Sequence, residues 1–125
     1  MQYTAIVKNL LPLKPHGKAL TIRTGLWTNQ CLAELKKFCK PVIAADNIAD
    51  NDATRMVPYE KWKIDPEASY LHVCVNETVH GFEITEDNFP WHAFPDDTVI
   101  VGDMSSNIGS FKVNWNRFDV VYAGV

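Results

Sequence analysis

Three residues carry side chains that together could hold a flat, nitrogen-containing ring: Trp27, Thr78 and Asp103. The indole of Trp27 offers a face for stacking, and the hydroxyl of Thr78 a hydrogen bond to a ring substituent. The carboxylate of Asp103 offers a partner for a protonated ring nitrogen. Each comes after a short apolar run: Gly25-Leu26-Trp27 after residues 19–24, Asn76-Glu77-Thr78 after 70–75, and Asp103-Met104-Ser105-Ser106-Asn107 after 98–102. If those runs are strands of an open α/β sheet, the three side chains converge on one rim. Such sheets gather ligands there, outside the carboxyl ends of their strands. Taken singly, each residue also has an ordinary structural use. Trp27 serves as a staple or lid before a helix, Thr78 as a cap and Asp103 as a turn former.

The elements that would position them are legible in the pattern. Residues 19–24, 42–45, 70–75, 98–102 and 120–123 are short and rich in Val, Ile, Leu and Tyr. Several are apolar on consecutive residues rather than alternating, as strands buried on both faces of a helix-covered parallel sheet are. A helix is expected from Thr28, as its cap, through Cys31, Leu32, Leu35, Phe38 and Cys39 on one face. Lys36, Lys37 and Lys40 crowd its last turn and Pro41 stops it. Strand, helix and strand then form a βαβ unit. Residues 47–58 read as a surface loop, 59–63 as a helical turn, and the stretches around Gly81 and between Pro90 and Pro95 as excursions at the sheet edge. The fold class is α/β, with a mostly parallel or mixed sheet and flanking helices. Helices are few for a sheet covered on both faces, and the chain opens with an apolar segment, Tyr3 to Leu11, that has no partner helix before it. Residues 1–125 are therefore expected to be part of a larger fold.

Composition narrows the remaining classes. The 125 residues are 46% hydrophobic with a net charge of −3, which excludes a disordered chain. No Lys/Arg cluster forms a face for nucleic acid, and no apolar run approaches the ~20 residues that span a bilayer. The start is a poor signal peptide. Three cysteines at unpatterned spacings, Cys31, Cys39 and Cys74, read as reduced thiols of a cytoplasmic protein. His72, Cys74 and His80 lie close together but lack metal-ligand spacing, and nothing in the sequence activates a particular cysteine. Neither GxxxxGK[ST] nor GxGxxG occurs, so nucleotide-phosphate loops are absent.

At the strand ends the sequence resembles a known family. Residues 69–81, SYLHVCVNETVHG, are similar to the stretch SYVxYCxNETVHG of the phosphoserine aminotransferases, pyridoxal-phosphate enzymes of fold type I. Residues 103–107 match DMSSN, residues 24–28 resemble TGxWS, residues 122–125 the start of YAGxQKN, and residues 2–5 QFSA. The matches run in family order along nearly the whole chain, residues 43–58 excepted.

The resemblance implies that Trp27 stacks on the pyridine ring, Thr78 hydrogen-bonds the cofactor, and Asp103 pairs with the pyridinium nitrogen. It implies pyridoxal 5'-phosphate as cofactor and a large-domain fold of type I, with residues 1–125 its central part and no second domain. The implied reaction moves an amino group between glutamate and 3-phosphohydroxypyruvate, giving phosphoserine and 2-oxoglutarate in serine biosynthesis. A homodimer is implied too, with small-molecule substrates and neither nucleic acid nor membrane as partner. The family's covalent lysine belongs to the QKN segment, and none of the lysines present matches it. The chain as given is thus expected to be inactive, with no catalytic residue of its own. The alternative is a non-catalytic remnant that binds the cofactor weakly or associates with a longer partner.

Overall fold

The computed structural model describes residues 2–49 and 52–124. Two helices, α1 (Gln2–Leu10) and α2 (Leu26–Leu35), accompany strands β1 (Lys18–Arg23), β2 (Val42–Asp46), β3 (Ala68–Cys74), β4 (Asn76–Glu77), β5 (Phe82–Glu83), β6 (Val99–Asp103) and β7 (Val120–Tyr122). Five strands form one sheet in the order β2-β1-β3-β6-β7, parallel at every pairing, while β4 and β5 form a small antiparallel pair. The consecutive apolar residues of β3 have the cause the sequence suggested, for all seven are buried.

The two faces of the sheet are covered differently. Tyr3, Ile6, Val7 and Leu10 recur at helical spacing along α1. They pack with Cys31 and Leu35 of α2 over Ala19, Tyr70 and Val101. The apolar opening segment is therefore a helix, lying on the same face as α2. The opposite face, where no α-helix lies among the described residues, holds Leu20, Ile22, Leu71, Val73 and Val75. Irregular chain covers it with aromatic rings, Trp62 meeting Phe89 edge to face at 5.5 Å and Trp91 meeting Phe118 at 5.3 Å. Large rings bury about 150–250 Å² each, so a few loop residues cover what a helix otherwise would. Gly102 of β6 permits this approach. A Cβ there would lie 2.8 Å from the Phe118 ring.

Two local expectations are corrected. The residue at the N-terminal boundary of α2 is Gly25, and Thr28 lies three residues into the helix. Its hydroxyl reaches back to accept from the Gly25 amide at 3.0 Å and the Thr24 amide at 2.9 Å. The helix also ends at Leu35, so Lys36, Lys37 and Lys40 lie beyond its last residue and Phe38 is exposed. Tight turns back to Leu32, Glu34 and Leu35 carbonyls finish the segment. Residues 59–61 form one 3₁₀ turn within the stretch expected to be helical. No helix among the described residues is long and apolar enough to cross a membrane.

Candidate functional site

The strand order fixes where a site can form. From β1 the chain moves to β2 on one side, then crosses to β3 on the other. The loops leaving β1 and β3 thus diverge and open a crevice between them. A pocket of about 250 Å³ lies at this carboxyl rim, and Trp27, Thr78 and Asp103 all line it. The structure thus brings together the three residues singled out by their place after strands. The volume is below the ~300 Å³ at which pockets for drug-sized ligands begin, and suits a single ring.

Asp103 ends β6, on the same sheet face as Cys74 of β3 and Tyr122 of β7, with which it is in register. Its Oδ1 accepts from the Ser105 amide at 3.0 Å and the Ser105 hydroxyl at 2.6 Å, the short-range turn that an Asp two residues ahead of a Ser favours. Its Oδ2 accepts from the Tyr122 hydroxyl at 3.0 Å and, more distantly, from Tyr3 at 3.5 Å. The loop after β6 is tied across the rim. The Ser106 hydroxyl donates to the Asn76 carbonyl at 3.1 Å, and the Asn107 amide to Glu83 at 2.9 Å.

Trp27 and Thr78 form one unit. The Trp27 indole N–H donates to Thr78 Oγ1 at 3.1 Å, leaving the Thr78 hydroxyl proton to donate elsewhere. The Trp27 backbone amide donates to Glu77 Oε2 at 3.1 Å, so a buried carboxylate occupies the start of α2, where the helix dipole favours negative charge. Gly25 makes room for it. A Cβ there would lie 2.6 Å from the Glu77 side chain and 2.4 Å from His80 Nδ1.

The thiol and imidazole groups are placed unlike a reactive pair. His72 is fully buried, its imidazole held neutral by a pKa lowered to about 4, with burial outweighing the attraction of Asp103. Burial and the Asp103 charge push the Cys31 thiol up to about 12. Cys74 lines the pocket, and burial together with the Asp103 and Glu77 charges raises its thiol too. A nucleophilic cysteine needs the opposite shift. Among the described residues, no group of three or more His, Cys, Asp or Glu side chains could hold a metal ion.

The strand-end reading did not single out Tyr3 and Tyr122, the two phenols on Asp103. Tyr122 shares the register row of Cys74 and Asp103, and that row exists only through the strand order. Tyr3 lies 100 residues from Asp103, and only its place among the apolar positions of α1 pointed toward the sheet.

The fold and site together define an α/β domain with a ring-sized pocket at the carboxyl rim of its parallel sheet. The family model for class-V aminotransferases matches residues 1–124, and the chain belongs to that family. A phosphoserine aminotransferase from Polaromonas sp. is 37% identical over 120 residues, covering 91% of this chain and 30% of that protein. A phosphoserine aminotransferase structure concerned with radiation damage to its Schiff base superposes with a TM-score of 0.83 at 30% identity. It covers 98% of this chain and 32% of that one. The pyridoxal-phosphate-bound phosphoserine aminotransferase of Trichomonas vaginalis gives a TM-score of 0.72 at 27% identity, with the same coverage. The chain thus spans about a third of the length of the relatives it matches.

Proposed function

We propose that this chain is the central, cofactor-facing part of the large domain of a phosphoserine aminotransferase. The whole protein would use pyridoxal 5'-phosphate to move an amino group between glutamate and 3-phosphohydroxypyruvate in serine biosynthesis. We also propose a homodimer in the cytoplasm, the latter in keeping with the three free thiols. The observation that carries the reading is the meeting of Trp27, Thr78 and Asp103 in one pocket, with a donor set that suits the cofactor ring.

When bound, pyridoxal phosphate supplies a protonated pyridine ring that accepts electrons from the substrate carbon. Asp103 would hold the proton on the ring nitrogen as a carboxylate lining the pocket, its oxygens also accepting from two phenols and a serine. Trp27 covers one ring face, and its bond to Thr78 fixes the angle of that cover. Thr78 donates its free proton to a ring substituent. No lysine is among the described residues that line the pocket, so the segment alone is not expected to transaminate.

The test is an amino-transfer assay on the protein at the full length its gene encodes, with glutamate and 3-phosphohydroxypyruvate. Phosphoserine formation dependent on added pyridoxal phosphate is expected, and none from residues 1–125 alone. Absence of turnover by the full-length protein would remove the reading.

A further inference from the structure

From Asp103 and Tyr122, which both line the pocket, an unbroken line of polar groups runs inside the helix-covered face. The Tyr122 hydroxyl is 3.0 Å from Asp103 Oδ2 and 2.8 Å from His72 Nε2, and His72 Nδ1 is 3.5 Å from Cys31 Sγ. All four residues are buried or partly buried, and the line runs from α2 through β3 to the ends of β7 and β6. We infer that this line is a one-way chain of hydrogen bonds, Cys31 to His72 to Tyr122 to Asp103, in which His72 is a positioning residue fixed as its Nε2–H tautomer and Asp103 is held as an acceptor-only carboxylate aimed at the ring nitrogen. The inference deepens the proposed function and rests on it for what Asp103 faces. The chain itself is defined by geometry.

Each step is set by counting protons. An ionised carboxylate only accepts, so the proton between Tyr122 and Asp103 belongs to the phenol. A phenol has one proton, so its oxygen must accept from His72 Nε2, and the imidazole must carry hydrogen there. A neutral imidazole has one N–H, so Nδ1 is bare and faces the thiol as an acceptor. The thiol then supplies the S–H, a weak donor at sulfur distance. The reverse order requires Asp103 to give a proton to Tyr122. Ser105 opposes that, since its amide and hydroxyl both donate to Oδ1, the pattern of a carboxylate that only accepts. Protonation of both ring nitrogens is also disfavoured, because burial lowers the His72 pKa to about 4. Burial with the Asp103 charge likewise holds Cys31 as the thiol.

The groups packed around His72 offer the imidazole no competing partner, while Tyr3 also bonds the Tyr122 hydroxyl. Tyr3 meets the imidazole edge on, with ring centroids 5.5 Å apart, and turns its hydroxyl toward Asp103 rather than to the imidazole. Tyr122 lies against the same ring nearly parallel, at 6.0 Å. The neighbours of His72 in register, Thr21 and Val101, add no charge.

The test reads the His72 tautomer directly, by nitrogen-15 NMR of histidine-labelled protein at neutral pH. The protein is taken at the full length its gene encodes and as purified. The wild type is expected to show protonated Nε2 and bare Nδ1. A protonated Nδ1, or a mixture of the two forms, overturns the chain. In Tyr122→Phe the acceptor is gone and the proton is expected to move to Nδ1 in at least half of the molecules. An unchanged tautomer there also overturns it. Cys31→Ala is expected to leave the tautomer as it is, since the order is set from the carboxylate end. A switch in Cys31→Ala would place control at the thiol and refute the direction. None of these readouts depends on amino transfer, so failure of the chain and failure of the proposed activity are distinguishable.

Discussion

The two faces of β3 belong to different kinds of protein. On one, Leu71 and Val73, and Val75 just beyond the strand, sit in an apolar core roofed by aromatic loop residues, with no polar side chain of the strand among them. On the other, Tyr70, His72 and Cys74 alternate with them and lie beneath α1 and α2. There the line of polar contacts leads from Cys31 to the pocket rim. From Tyr70 on, the strand thus gives its odd-numbered positions to the apolar core and its even ones to the support of a site. The difference teaches that irregular cover suffices where only surface must be removed from water. Rigid helices lie where polar atoms must meet within a few tenths of an ångström.

Substitutions that treat the faces separately test that division. The largest effect on function belongs to Asp103→Ala. In the full-length protein it should lower kcat about 10²-fold or more, in line with the loss of a charge-assisted contact in a dry site. A smaller loss of stability should come from the Ser105 and Tyr122 donors left unpaired. A variant with wild-type turnover removes Asp103 from the mechanism. Leu71→Ala acts on the opposite face and should cost about 2–5 kcal/mol of stability through lost burial and a residual cavity. Activity per folded molecule should be unchanged, as checked by urea unfolding beside an active-fraction assay. A drop in specific activity would mean that the faces are coupled.

Trp27→Ala is expected to weaken pyridoxal-phosphate binding by about three- to tenfold, the scale of one lost aromatic contact. Its stacking acts alike before and during reaction, so kcat of the loaded protein should hold. Equilibrium dialysis that finds unchanged affinity counts against the stacking role.

The last effect is a pH slope. Buried His72 resists protonation down to about pH 4, whereas the unfolded chain takes up that proton near its ordinary value of 6.5. Stability from this group is therefore complete above pH 6.5, falls as pH drops toward 4, and levels below. The slope is at most about 1.4 kcal/mol per pH unit. Urea melts across that window should show the slope in the wild type, and His72→Gln should flatten it.

How much of this was legible in the sequence varies with the range of the contact. All five strands of the main sheet lie within two residues of their apolar runs, because strands buried on both faces leave a continuous local signature. Asp103 is the last residue of β6 rather than the first after it, and Trp27 and Thr78 follow the ends of β1 and β3 by four residues. Such positions near strand ends can be located without any pairing information. The start of α2 was misplaced by three residues, since Thr28 does its capping from inside the helix and Gly25 has no side chain to advertise itself. The aromatic roof was invisible for another reason. Trp62, Phe89, Phe94 and Phe118 share no period and meet only through the folded loops. The Cys31–His72 contact spans 41 residues between a helix and a strand, and no spacing rule reaches that far.

The spacing of the site residues along the chain also bears on time. Trp27 and Thr78 are 51 residues apart, Tyr122 and Asp103 19, and Tyr3 and Asp103 100. Parallel pairings of such long range form late, after the loops between them have been closed. During synthesis α1 and β1 leave the ribosome well before β6 and β7, and at about 5–20 residues per second they wait several seconds for the strands that complete the rim. The pocket is therefore among the last features of residues 2–124 to form, and a ligand that recognises it selects molecules in which this sheet is complete. In the cell such a ligand acts as a late clasp, stabilising the finished fold in proportion to the logarithm of its concentration over its dissociation constant.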